Sequence, residues 1–213
     1  MSKYPVILSL VISLAMSLMA LPSHAVEVAV TEALVFDIEL SEGWALHLEP
    51  PEALVKENAS HVAHEPAAAS ATAGQIEEVA RKRLKVNEAF VYHAASGAHL
   101  DIDFSSLDPG QSAPSARTLR NSAEYAVQSL ENEDDVDEVV WDVTSAKING
   151  VDETFVLSAD YLQHGQPMTF RGYIGYIDQY WFFLYFTAPG KNPAVLQEMQ
   201  LMLERASIRS TAR

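Results

Sequence analysis

The chain has 213 residues, 48% hydrophobic and 20% charged, with 14 Lys and Arg against 29 Asp and Glu and no cysteine. That length suits one ordinary domain, and the missing cysteine excludes a disulfide scaffold, a zinc–cysteine site and a thiol nucleophile. A net charge of −15 argues against a nucleic-acid partner, whose phosphates require a basic face, and against docking by charge on an anionic lipid surface.

Residues 1–25 read as a secretory signal peptide. Lys3 gives a short positive start, Pro5 to Leu21 is apolar with only serines interrupting it, Pro22 breaks it, and Ser23-His24-Ala25 offers small residues at the two positions a signal peptidase reads. The apolar stretch is at the short limit for a membrane span, and no basic cluster follows it. Cleavage after Ala25 is therefore expected. It leaves residues 26–213 as a single domain without a stable membrane span, with net charge −16 once Lys3 is lost, exported to the periplasm of a Gram-negative cell or secreted.

Hydrophobic period sets out the elements of that domain. Val35 to Leu40 alternates and predicts a strand with one buried face, followed across Ser41-Glu42-Gly43 by a short strand from Trp44 to Leu48. The stretch Ala59 to Gly74, small and polar without apolar period, reads as a mobile loop. Gln75 to Leu84 predicts a helix, and Ala89 to His93 and His99 to Phe104 predict strands around a Ser96-Gly97 turn. Ser115 to Leu130 predicts a long helix with Leu119, Ala123, Val127 and Leu130 on its apolar stripe. Val139 to Ala146 and Thr154 to Leu162 read as strands joined through Asn149-Gly150, and Pro167 to Ile177 with Tyr180 to Thr187 as a further hairpin. A last helix opens with Asn192 as cap and Pro193 in its first turn.

The final hairpin decides the architecture. Tyr180-Trp181-Phe182-Phe183-Leu184-Tyr185-Phe186 leaves no polar face. At roughly 150–250 Å² per aromatic side chain, baring the side with Trp181, Phe183 and Tyr185 would expose about 450–750 Å², at or above the largest patch of a typical monomer. Both faces must be covered, and the two long helices carry matching stripes. The expected fold is α+β, an antiparallel sheet with helices on both faces, an α/β/α sandwich.

With Phe36-Asp37-Ile38 and Gly43-Trp44 opening the domain, a long central helix, two late hairpins, Arg171-Gly172-Tyr173 through Tyr185-Phe186-Thr187-Ala188-Pro189, and Met202-Leu203 with Ala206-Ser207-Ile208 closing it, the chain resembles the PsbP-like superfamily from about Val35 to Ile208. Ser41-Glu42 stands where that family has a Pro before the Gly-Trp pair, and Ala59 to Leu84 looks like an insertion. The resemblance implies the sandwich fold and a habit of binding partners without catalysis. It supplies no catalytic residues and no metal motif that matches here.

Several constellations bear on chemistry. His61-Val62-Ala63-His64-Glu65 puts two imidazoles and a carboxylate close together, donors suited to zinc or nickel, so His61, His64 and Glu65 are candidate ligands; a solvated polar loop is the plainer reading. Glu131 to Glu138 holds six carboxylates at the C-terminal end of a helix, where the macrodipole disfavours negative charge, so a cation or a basic neighbour is expected there. It lacks the spacing and glycine of a calcium loop. Arg81, Lys82, Arg83 and Lys85 form the one dense basic cluster, either a grip for an acidic partner or a salt-bridged helix surface. Arg171, inside a very apolar hairpin, must reach a carboxylate or the rim and is a candidate ligand anchor. His99 and Asp101 share a strand face as an ion pair. No Gly-x-Ser-x-Gly elbow, phosphate loop or dinucleotide fingerprint occurs.

The leading expectation is an exported, non-catalytic binding or assembly protein with a protein partner in the envelope and no cofactor. The rivals are a hydrolase with a site formed by Arg171 and the strand His99 to Phe104, and a metal carrier acting through His61, His64 and the acidic run. N-terminal sequencing of the exported chain should read Val26-Glu27-Val28; a chain that retains Met1 in the envelope fraction defeats the signal-peptide assignment.

Overall fold

The most apolar stretch of the chain sets the layout, because a strand with aromatics on both faces belongs in the middle of a covered sheet. The computed structural model describes residues 24–31, 33–133 and 135–211; of the expected signal peptide only His24 and Ala25 lie among them. In chain order the elements are β1 (His24–Ala29), β2 (Leu34–Leu40), β3 (Trp44–His47), α1 (Glu52–His64), a 3-10 turn (Pro66–Ala68), α2 (Ala73–Leu84), β4 (Ala89–His93), β5 (His99–Ser106), α3 (Ala116–Glu131), β6 (Val136–Ala146), β7 (Thr154–Gln163), β8 (Gln166–Ile177), β9 (Tyr180–Pro189), α4 (Pro193–Arg205) and β10 (Ser207–Ser210).

Seven strands form the main sheet in the order β3-β4-β5-β9-β8-β7-β6, and β1-β2-β10 form a second. Every pairing is antiparallel. β9 is the central strand, and on one face its Phe182, Leu184 and Phe186 are fully buried. They pack with Val195, Met199, Met202 and Leu203 of α4 and with Phe36 and Ile38 of β2. α4 is started by Asn192, whose side chain accepts from Val195 N, and is tied back to β3 where Trp44 Nε1 donates to Glu198 Oε2 at 3.1 Å.

On the opposite face Trp181 and Phe183 pack with Ala123, Ala126 and Val127 of α3. α1 and α2 hold a small core of their own, Val55, Val62 and Ala80. Leu54, Glu57 and Asn58 of α1 face His99, Asp101 and Thr187 across a cavity. The sheet thus has helices on both faces, the α/β/α sandwich that the aromatic ribbon demands. No helix among the described residues is long and apolar enough to cross a membrane.

Three features differ from expectation. Ala59 to Gly74 is not a mobile loop: Ala59–His64 completes α1, and α2 begins at Ala73 with a full capping box between Thr72 and Gln75. Alanine-rich sequence with few large apolar residues hides a helix whose stability comes from packing against a second helix. The strand β2 does not extend the main sheet; with β1 and β10 it shares the α4 face. Residues 147–153 form a longer connection than a two-residue turn, because Asn149 leaves the hairpin to pair in parallel with Ser207.

That connection explains Gly150. Ile208 N donates to Asn149 O at 2.9 Å, Gly150 has φ +86°, and a Cβ there would lie 2.0 Å from Ile208 O. Left-handed backbone and a backbone clash act together. Gly150→Ala should lower stability by about 2–4 kcal/mol, read as a lower urea midpoint; an unchanged midpoint contradicts the tether.

Candidate functional site

Three segments far apart in sequence meet at one end of the main sheet. The last turn of α1 presents His61 and His64. The start of β6 presents Asp135. The β7–β8 turn is His164-Gly165, both with positive φ (+50° and +74°), the conformation that favours a tight two-residue hairpin. His164 N donates to Asp135 O at 3.0 Å, so the turn is stapled to the entry of β6.

Asp135 Oδ2 is the hub. It lies 3.1 Å from His164 Nε2 and 3.5 Å from His61 Nδ1, and it accepts from Gln163 Nε2 at 3.2 Å. The His61 and His164 rings are stacked, centroids 5.8 Å apart at 11°, and His64 lies 6.0 Å from His164. The three ligand atoms all fall within 4.8 Å of one another. Two donors bound at about 2.0–2.1 Å to one tetrahedral ion stand about 3.3 Å apart, which matches both nitrogen–oxygen separations. The donor set, two imidazoles and a carboxylate, suits zinc, copper or nickel. It leaves a coordination position open, as in sites that exchange or activate a ligand. The cleft around it has a volume of about 580 Å³ and also holds Asn58, Glu65, Arg83 and Glu133. Burial, with the charge of Asp135 beside it, pushes the Glu133 carboxyl above its ordinary range.

The residues singled out in the sequence separate. Of His61, His64 and Glu65, only His61 joins the cluster. His64 stands at its rim with Nδ1 2.6 Å from Ser60 O. Glu65 is forked by Arg83 through both oxygens, and that hydrogen bonding holds its carboxyl below the usual range. The acidic run supplies Asp135, and the basic neighbours expected there are His61 and His164. His164 is invisible as a ligand in the sequence; the polar Gln163-His164-Gly165-Gln166 between two strand patterns signals a turn but not what the turn meets.

The basic cluster pins α2 to its surroundings. Arg81 Nη2 meets Glu52 Oε1 at 2.7 Å, Lys85 Nζ meets Glu49 Oε2 at 3.2 Å, and Arg83 takes Glu65; Lys82 makes no ion pair among the described residues. Arg171 Nη1 donates to Phe170 O at 2.7 Å and Ala159 O at 3.1 Å and lies 3.5 Å from Asp160 Oδ1. Register puts it opposite Phe186, on the α4 face. Asp101 pairs with Tyr185 and His99 with Thr187, on the other face. Arg171 and the His99–Asp101 pair therefore cannot form one site.

No family model matches the chain, and no curated protein does. Solved structures do. LpqN of Mycobacterium tuberculosis, involved in cell envelope biogenesis, is 12% identical with a TM-score of 0.48, over 88% of this chain and 91% of that one. The PsbP of the cyanobacterium Synechocystis sp. PCC 6803 is 8% identical with a TM-score of 0.45, over 82% and 86%. A variant of protein Mog1 is 10% identical with a TM-score of 0.48, over 90% and 98%. A PsbP thus stands among the structures that this chain is similar to. At this identity and TM-score no partner or activity passes from them to this chain.

Asp101 itself yields a pH signature. Burial is the main cause that pushes its carboxyl from 3.8 up to about 6; the charge of His99 opposes this, and Glu57 and Asp103 reinforce it. The folded state then binds a proton more tightly than the unfolded chain. The stabilisation is full below about pH 4 and is lost as pH rises through about 6. Asp101→Asn should stabilise the fold by about 1–3 kcal/mol at pH 7.5 and by nothing at pH 4, read from urea midpoints; a gap independent of pH contradicts the assignment.

Proposed function

We propose that this chain is an exported, non-catalytic protein that binds a divalent transition-metal ion reversibly through His61, Asp135 and His164 and presents it to a protein partner. The observation that carries the reading is the triangle of ligand atoms within 4.8 Å, with two nitrogen–oxygen separations, 3.1 and 3.5 Å, that fit a single ion. Two further facts favour exchange over permanent structural binding. The ligand side chains keep 33%, 25% and 52% of their surface accessible, and three protein ligands leave room for a fourth from a donor or acceptor. A net charge of −15 raises the local concentration of cations around the open cleft. Export rests on the signal-peptide pattern of residues 1–25, and the periplasm is the compartment it favours.

Calorimetry with zinc on the purified exported chain should give binding at micromolar or tighter Kd. His61→Ala and His164→Ala should each weaken it at least tenfold, and binding should release protons, so that affinity falls as the pH is lowered. Binding no tighter than millimolar for zinc, copper and nickel alike overturns the proposal. So does an affinity that both substitutions leave unchanged.

A further inference from the structure

A second cavity lies under α1, on the inner side of the cleft. Its volume is about 180 Å³, and Asn58, His61 and Gln163 line both spaces. It is too small for an organic ligand of ordinary size and large enough for an ion with a few waters.

Its polar atoms are one-sided. Asn58 Oδ1 and Asp101 Oδ1 are both shielded from solvent, and neither has a hydrogen-bond partner among the described residues. The Asp101 side chain as a whole keeps 19% exposure, so the unpaired oxygen is its inner one. His99 Nδ1 lies 3.3 Å from Gly97 O, an oxygen that can only accept. Nδ1 is therefore the nitrogen that donates, and Nε2 is the one turned toward the cavity. Nε2 faces Asp101 Oδ1 at 3.9 Å, a separation beyond hydrogen bonding.

Charge points the same way. Glu57 and Asp103 add their negative fields at Asp101 against the opposing charge of His99, and neither Lys nor Arg lines the cavity. Water can donate to two of these acceptors but brings no charge to set against Asp101, Glu57 and Asp103. A cation answers both demands at once.

We infer that this inner chamber is a second cation site, in which a partly dehydrated divalent metal is held by Asp101 Oδ1, Asn58 Oδ1 and His99 Nε2. One imidazole with two oxygens suits zinc or manganese. His61 lines both spaces. The two sites share no ligand, and the inference stands or falls separately from the outer centre.

The test counts zinc ions on the chelator-treated, exported chain by calorimetry. Two ions per chain are expected, one remaining in His164→Ala and one remaining in Asp101→Asn. Asn58→Leu, close in shape to asparagine, should weaken the inner ion at least tenfold and leave the outer one unchanged. It also carries the test with the Asp101 charge left in place. One ion that Asp101→Asn and Asn58→Leu leave in place overturns the chamber and leaves the outer centre standing. Two ions that both survive these substitutions overturn it as well. One ion that survives His164→Ala and is lost in Asp101→Asn supports the chamber and removes the outer centre. No ion bound tighter than millimolar removes both.

Discussion

A strand that carries aromatic rings on both faces has to be covered twice, and the rest of this molecule follows from meeting that demand on β9. One face is closed by α4 with the small sheet behind it, where Phe182, Leu184 and Phe186 are fully buried. The other is closed by α3 over Trp181 and Phe183. Glycines in the neighbouring strand β8 give way to the rings: a Cβ on Gly175 would come within 2.3 Å of the Phe182 ring, and one on Gly172 within 2.9 Å of Phe170. α3 does not reach the whole of the second face. The pair α1 and α2 lies over the remainder, and the two polar cavities form where that pair meets the sheet.

The sheet's second face turns from apolar to polar along its length, and the candidate chemistry gathers at the polar end. Trp181 and Phe183 give way to Asp101, His99 and Thr187 under α1, and then to Asp135 and His164 at the rim. Each of these side chains is fixed by a regular element or a tight turn, which is the condition for holding ligand atoms at fixed separations. Asp135 is held from several sides at once, by Gln163, His164 and His61. A carboxylate so placed costs little mobility when an ion arrives.

The elements that pack by strong period were legible in the residues: the ribbon of β9, the stripe of α3, the Asn192–Pro193 start of α4. What escaped depends on neighbours. α1 buries only Leu54, Val55 and Val62 among mostly alanine and polar residues, so its pattern is weak until α2 is laid beside it. β1 is masked by the small residues that look like a peptidase site, and β10 is four residues long. Of the metal triangle, His61 and the acidic run could be suspected from composition, while His164 could not, since its meeting with Asp135 is a product of hairpin register. Arg171 was legible as a buried charge in need of partners, and the strand order then separates it from His99 and Asp101.

The small sheet has a consequence for assembly. β2 lies between β1, its immediate predecessor, and β10, the last strand of the described chain, with Arg209 bonded across to both Asp37 and Glu27. Asn149 closes on the same strand from the middle of the sequence. Partners separated by some 170 positions cannot meet until both have been synthesised, and contacts of such long range slow folding, so the small sheet is assembled after the hairpins of the main one.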